Sequence, residues 1–190
     1  MGNREKLLET AAAVFGRAGY QASSVDDILE AAKVAPSNFY YHFKSKEALA
    51  LEVLEGYFER SREAIAPIFM NKKLSPTAKL EQLNRHFVQK MTQNGCCGGC
   101  PMGNLALELS DTHPKFRQRL ADFFEECMDG IAAVVRAGVE SGEFRKVVDP
   151  QAAAFLLFGS IEGLILLSKN LKKTTPLEAG FKQALALLKN

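Results

Sequence analysis

Apolar residues recur at intervals of three and four along nearly the whole chain. Leu7, Ala11, Phe15 and Ala18 make one stripe, and Val25, Ile28, Leu29 and Ala32 make a shorter second one. Leu54, Tyr57, Phe58, Ile65 and Ile68 form a third, followed by Leu80, Leu83, Phe87 and Met91. A long stripe runs through Phe116, Leu120, Phe123, Cys127, Ile131 and Val134, and the last is Leu177, Phe181, Leu185 and Leu188. This spacing puts each set on one face of an α-helix. The punctuation agrees. Ser75-Pro76, Asp149-Pro150 and Thr175-Pro176 each pair a capping residue with proline at the first helical position. No segment alternates with period two, and no Asn-Gly hairpin lies between strand-like runs. The pattern predicts an all-α fold of about nine helices.

Two segments differ in style. Residues 1–45 hold three short helices with tight connections, and residues 46–190 hold longer ones. The loops of the second segment lie at 71–76, 94–103, 111–114, 141–150 and 170–176. The fourth helix is expected from Lys46 to about Ala66, another from Asn104 to Ser110, and the last two at about 150–169 and 175–189. No internal repeat is present.

The short helices carry the first chemical signal. Gly19 is placed to end the first helix in a left-handed cap. Ser24 can cap a second helix, Val25 to about Ala32, with Asp26 and Asp27 in its first turn, where the helix dipole favours acids. After the turn Lys33-Val34-Ala35, Pro36 opens a third helix, Pro36-Ser37-Asn38-Phe39-Tyr40-Tyr41-His42-Phe43. Two short helices joined this way suggest a helix-turn-helix. Phe39 and Phe43 stand four apart and can anchor the third helix, which leaves Ser37, Asn38, Tyr41 and His42 pointing elsewhere. The net charge of the chain is only +2, so any basic surface is local. Residues 31–46 supply one, with Lys33, Lys44 and Lys46 and no acid. Asparagine can pair with adenine in the major groove. Tyr, His and Lys can hold phosphate oxygens.

Residues 4–54 resemble the DNA-binding domain of the TetR family of transcriptional regulators. The resemblance is carried by Ala12 through Gly19-Tyr20, by Ser24-Val25-Asp26-Asp27-Ile28, and by Ala31-Ala32-Lys33-Val34-Ala35. Its most specific piece is Phe39-Tyr40-Tyr41-His42-Phe43-Lys44-Ser45-Lys46-Glu47-Ala48-Leu49. The resemblance implies DNA contact by Ser24, Pro36, Ser37, Asn38, Tyr40, Tyr41, His42, Lys44 and Lys46. Two positions depart from the family pattern. Lys33 stands where the turn usually has glycine, at a cost of about 1 kcal/mol. Ala35 stands where Ser or Thr usually caps the recognition helix, at a cost of roughly 0.5–2 kcal/mol.

Composition removes several classes. The chain has 190 residues, 47% hydrophobic and 24% charged, which excludes disorder over most of it. The first ten residues lack the apolar core of a secretion signal. The longest apolar run, Ala152–Ser168, contains Glu162, Gly159 and Gly163 and reads as a buried or interfacial helix rather than a membrane span. Cys96, Cys97 and Cys100 lie within five residues and Cys127 stands apart, which is no secreted disulfide framework. These readings predict a cytoplasmic protein with no membrane contact. No catalytic triad, nucleotide-binding loop or metalloprotease motif is present, and no enzyme activity or cofactor is expected.

For residues 46–190 the resemblance implies a domain that dimerises and encloses a small-molecule pocket. The partners implied are an operator duplex, a small-molecule inducer and a second copy docked through the last two helices. Phe87, Met91, Glu108, Phe123, Phe124 and Glu162 are candidate pocket residues, alongside Cys96, Cys97, Cys100 and Cys127. The tract Gly95-Cys96-Cys97-Gly98-Gly99-Cys100-Pro101-Met102-Gly103 allows four readings. Cys100 is a small buried apolar residue and the others incidental, or a thiol senses oxidants or electrophiles. The third reading is a soft-metal site in which Cys127 or His113 completes a cysteine set. The fourth is a thioredoxin-like centre, which lacks its βαβ context. Gly-Cys-Pro followed by Gly-Asn-Leu-Ala and Glu-Leu also occurs in family members resembling electrophile-responsive repressors. The competing reading of the whole chain is a cysteine-based redox or metal-binding protein with a fortuitous helix-turn-helix.

Overall fold

The computed structural model describes residues 2–189. Nine α-helices occur among them: α1 (Asn3–Ala18), α2 (Val25–Ala32), α3 (Pro36–His42), α4 (Lys46–Met70), α5 (Pro76–Gln93), α6 (Pro101–Leu109), α7 (Pro114–Glu140), α8 (Pro150–Leu171) and α9 (Thr175–Ala186). Among the described residues the extended pairing is limited to one bridge, Phe144 with Lys189. The all-α expectation therefore holds in helix number and order.

Several boundaries move. The fourth helix does not stop before Pro67 but continues to Met70. Proline removes one helical N–H bond, yet Ile68 is buried and the Phe69 ring packs on Gly130, so burial carries the helix past it. The helix expected at Asn104 begins at Pro101, where a missing N–H costs nothing. The eighth runs two residues beyond 169, and the ninth ends at Ala186 rather than 189.

Two compact units emerge, and their boundary differs from a cut at residue 45. The first comprises Met1–Ser61 with Pro101–Leu120, and the second Arg62–Cys100 with Ala121–Asn190. The first unit thus takes the beginning of α4, all of α6 and the beginning of α7. Its core includes Leu7, Phe15, Ile28, Phe39, Phe43, Leu49, Leu54, Leu109 and Phe116. Tyr20 is buried among Phe15, His113 and Phe116, with ring centroids 5.4–5.6 Å away.

The second unit packs α5, α8 and α9 with the later parts of α4 and α7 around Leu80, Leu83, Ile131, Val135, Phe144, Leu157, Ile161 and Phe181. Gly138 is required there, because a Cβ would overlap the fully buried Phe144 ring. By length and composition α8 could cross a membrane. Here it buries Ala153, Ala154, Leu157, Ile161, Ile165 and Ser168 and exposes Phe155, Leu156, Leu166, Leu167 and Leu171.

Both departures at the turn are visible. Lys33 closes α2 in the left-handed region at φ 54°, and Ala35 offers no side-chain cap to α3. Lys33→Gly is expected to stabilise the fold by about 1 kcal/mol and raise the melting midpoint by about 2–4 °C. A thermal melt that falls or stays level would show that the Lys33 side chain compensates for its own backbone.

Candidate functional site

The recognition helix is held from below and free above. Phe39 and Phe43 are almost fully buried, 5.9 Å apart. Arg4 of α1 lies over the Phe43 ring at the end of α3, at 5.6 Å, and pairs with Glu52 of α4. Pro36, Ser37, Tyr40, Tyr41 and Lys44 are exposed, with Tyr41 at 83% and Tyr40 at 64%. Large aromatic residues are rarely left so open without a partner. His42 is half-buried and stands edge-on to Tyr41 at 4.8 Å. Asn38 is half-buried, and its Oδ1 accepts a bond from Asn3 Nδ2 at 3.1 Å.

The preceding helix is fixed by its cap. Ser24 Oγ donates to Asp27 Oδ2 at 2.7 Å and accepts from the Asp27 N–H at 3.0 Å. The hydroxyl and backbone of Ser24 together hold the Asp27 carboxyl below the usual carboxylate range. Ser24 is exposed, but its hydroxyl already serves the cap.

Two expected site residues have other duties. Lys46 does not face outward as a phosphate contact. Its Nζ donates to the carbonyls of Tyr20 at 3.0 Å and Ser23 at 2.7 Å and lies 4.2 Å over the Tyr20 ring. Two of its three N–H bonds close the turn between α1 and α2. Glu108 is not a pocket residue of the second unit. It accepts the N–H groups of Tyr20 at 3.0 Å and Gln21 at 2.6 Å, within the first unit. The same turn is therefore held by an ammonium on its carbonyls and a carboxylate on its amides.

The remaining candidates belong to the second unit. Phe87 packs against its core, and Met91 and Cys96 are part of it. Cys96 rather than Cys100 is the buried thiol of the glycine-rich tract, and it sits at φ 54°. Cys97 is exposed. Lys172, the left-handed cap of α8, reaches Cys96 O at 3.4 Å and Cys97 Sγ at 3.6 Å. Phe123 is buried beneath Arg62, whose guanidinium lies 5.5 Å from the ring and binds Glu126 at 2.6–2.8 Å. Cys100, Cys127, Phe124 and Glu162 come together. The Cys100 thiol bonds the Glu162 carboxyl, Glu162 acts on Cys127, and Phe124 meets Phe158, one turn before Glu162. His113 packs in the first unit, and no group of three His, Cys, Asp or Glu side chains able to hold a metal occurs among the described residues. Asn84 was not foreseen. Its Oδ1 is buried without a partner, and an asparagine on a polar stretch of helix gives no sequence signal of that.

Comparison with known proteins decides the family. Residues 7–53 match the profile of bacterial regulatory proteins of the tetR family, and residues 76–184 match that of the tetracyclin repressor-like C-terminal domain, more than half the chain. The chain belongs to the TetR family. The transcriptional repressor DhaR of Mycobacterium sp. (strain GP1) is 30% identical over 92% of this chain and 86% of its own. A regulatory protein TetR from Rhodobacter sphaeroides superposes with a TM-score of 0.90 at 27% identity, covering 97% of each chain. A cysteine-substituted CifR bound to 26-bp operator DNA superposes at 0.83 with 23% identity, over 97% of this chain and 95% of that one. As a TetR-family protein it is a DNA-binding transcriptional regulator, and the redox reading with a fortuitous helix-turn-helix is not favoured.

Proposed function

We propose that this protein is a cytoplasmic one-component repressor that grips a near-palindromic operator as a homodimer. The carrying observation is α3, with Phe39 and Phe43 buried below and Ser37, Tyr40, Tyr41 and Lys44 exposed above. Asn38, at the helix start, reads a base edge. Tyr40, Tyr41, His42 and Lys44 hold phosphates and fix the register. The two α3 helices of the dimer then sit about 34–36 Å apart, or a multiple of that, to meet successive major grooves. An inducer in the second unit, or modification of the exposed Cys97, favours a conformer with other spacing and lowers operator affinity. The inducer must bind the two conformers unequally to do so.

Fluorescence anisotropy of the reduced protein on DNA upstream of its own gene tests this. Tight, salt-dependent binding is expected. Asn38→Ala is expected to cost about 1–3 kcal/mol and to relax base preference at one position. Lys44→Ala is expected to weaken all sequences alike and to flatten the salt slope by about one. Loss of binding on alkylation points to a thiol-reactive inducer, and survival to a non-covalent one. Equal affinity for random and selected operator DNA would refute the proposal.

A further inference from the structure

We infer that the side chains around Glu162 form a binding site for a protonated amine carried on an apolar body. The inference rests on the reading of this protein as a ligand-responsive regulator and names the class of ligand.

Glu162 is the only charged residue of α8 before Lys169. Its carboxyl has the Cys100 thiol as hydrogen-bond donor, and no ion pair engages it among the described residues. Arg62, the cation that acts on Cys127, is already bound to Glu126 through both Nε and Nη2. A half-buried carboxylate beside a neutral thiol lacks a counter-charge, which is costly away from water. Burial accordingly raises the pKa of Glu162, opposed by the Cys100 bond. Cys127 cannot supply the charge either. Burial, reinforced by Glu126 and Glu162, pushes its thiol up to about 12, so it is a neutral wall.

The surroundings suit an organic cation. Phe158 lies one turn before Glu162 on α8, on the same side of the helix. Its ring meets Phe124 of α7, with centroids 5.4 Å apart and planes inclined at 55°. Met128, one turn after Phe124, packs on the same core. Aromatic faces attract cations, and both rings and the carboxyl keep partial exposure. An ammonium would bring the Glu162 carboxyl positive charge and N–H donors together.

The probes are 2-phenylethylammonium and its carbon isostere n-propylbenzene, titrated calorimetrically into the full-length protein with operator anisotropy read in parallel. The amine is expected to bind at least about tenfold tighter than the hydrocarbon. Glu162→Gln is expected to erase that preference without changing hydrocarbon binding. Phe158→Leu, which keeps the apolar volume, is expected to lower amine affinity alone and serves if Glu162→Gln does not fold. Equal binding of the two probes, an unchanged amine affinity in Glu162→Gln, or no amine binding would overturn the inference. Glu162-dependent amine binding that leaves operator affinity untouched would uphold the site and overturn its role in induction. Failure of the protein to bind an operator would strike the regulator reading and leave the calorimetric result standing.

Discussion

Glutamate at Phe155 and Leu166 is expected to give a folded monomer whose operator affinity has fallen by about a hundredfold to ten-thousandfold. The two residues are more than half exposed at 54% and 55% and lie on the same side of α8. With Leu156, Leu167 and Leu171 they form an apolar face larger than a folded protein usually leaves in water. Gly159 and Gly163 sit among them with open space where a Cβ would stand, so another helix can approach closely. In the proposed homodimer a second copy docked through α8 and α9 would cover this face. Two glutamates facing two more across a twofold axis would then be desolvated without partners. Neither residue belongs to the core of the second unit, so helicity and melting midpoint should hardly change. Sedimentation should give the monomer mass at micromolar concentration. Operator binding collapses because each half-site is then held alone. A dimer mass in the double variant would place the interface elsewhere, and a monomer with undiminished affinity would remove the need for a dimer.

The helices were legible because burial repeats with the helical period. The stripe Leu80, Leu83, Phe87 and Met91 translates directly into the core-facing side of α5. The recognition helix was legible for the opposite reason: beyond its anchors Phe39 and Phe43 it keeps residues that a folded surface does not need. What stayed hidden depends on contacts between residues far apart in sequence. Glu108 reads as one acid in an apolar stretch, yet it binds backbone 87 and 88 residues away. Lys46 reads as one more lysine of a basic patch, yet it turns inward to carbonyls 23 and 26 residues away. Side chain to backbone bonds of this kind leave no periodic trace. The passage of α4 through Pro67 is likewise decided by what Ile68 and Phe69 pack against.

The same two residues make the second large effect. Glu108→Ala and Lys46→Met are each expected to destabilise the first unit by about 1.5–3 kcal/mol, the usual loss for hydrogen bonds to charged groups. Each removes two bonds from the turn between α1 and α2. Lys46→Met also keeps an unbranched stem over the Tyr20 ring, so its effect isolates the ammonium. Because both side chains act on the backbone of Tyr20, the double variant should lose less than the sum, by at least about 0.5 kcal/mol. Operator affinity should fall in both variants, since this turn sets where α2 and α3 stand. The salt dependence separates this account from the one that the sequence first suggests. A lysine on a phosphate contributes about one unit to the salt slope, whereas a lysine bound to carbonyls contributes almost none. Lys46→Met should therefore lower affinity at an unchanged slope, in contrast to Lys44→Ala. A slope reduced by a full unit would return Lys46 to the phosphate backbone and leave the turn to Glu108 alone.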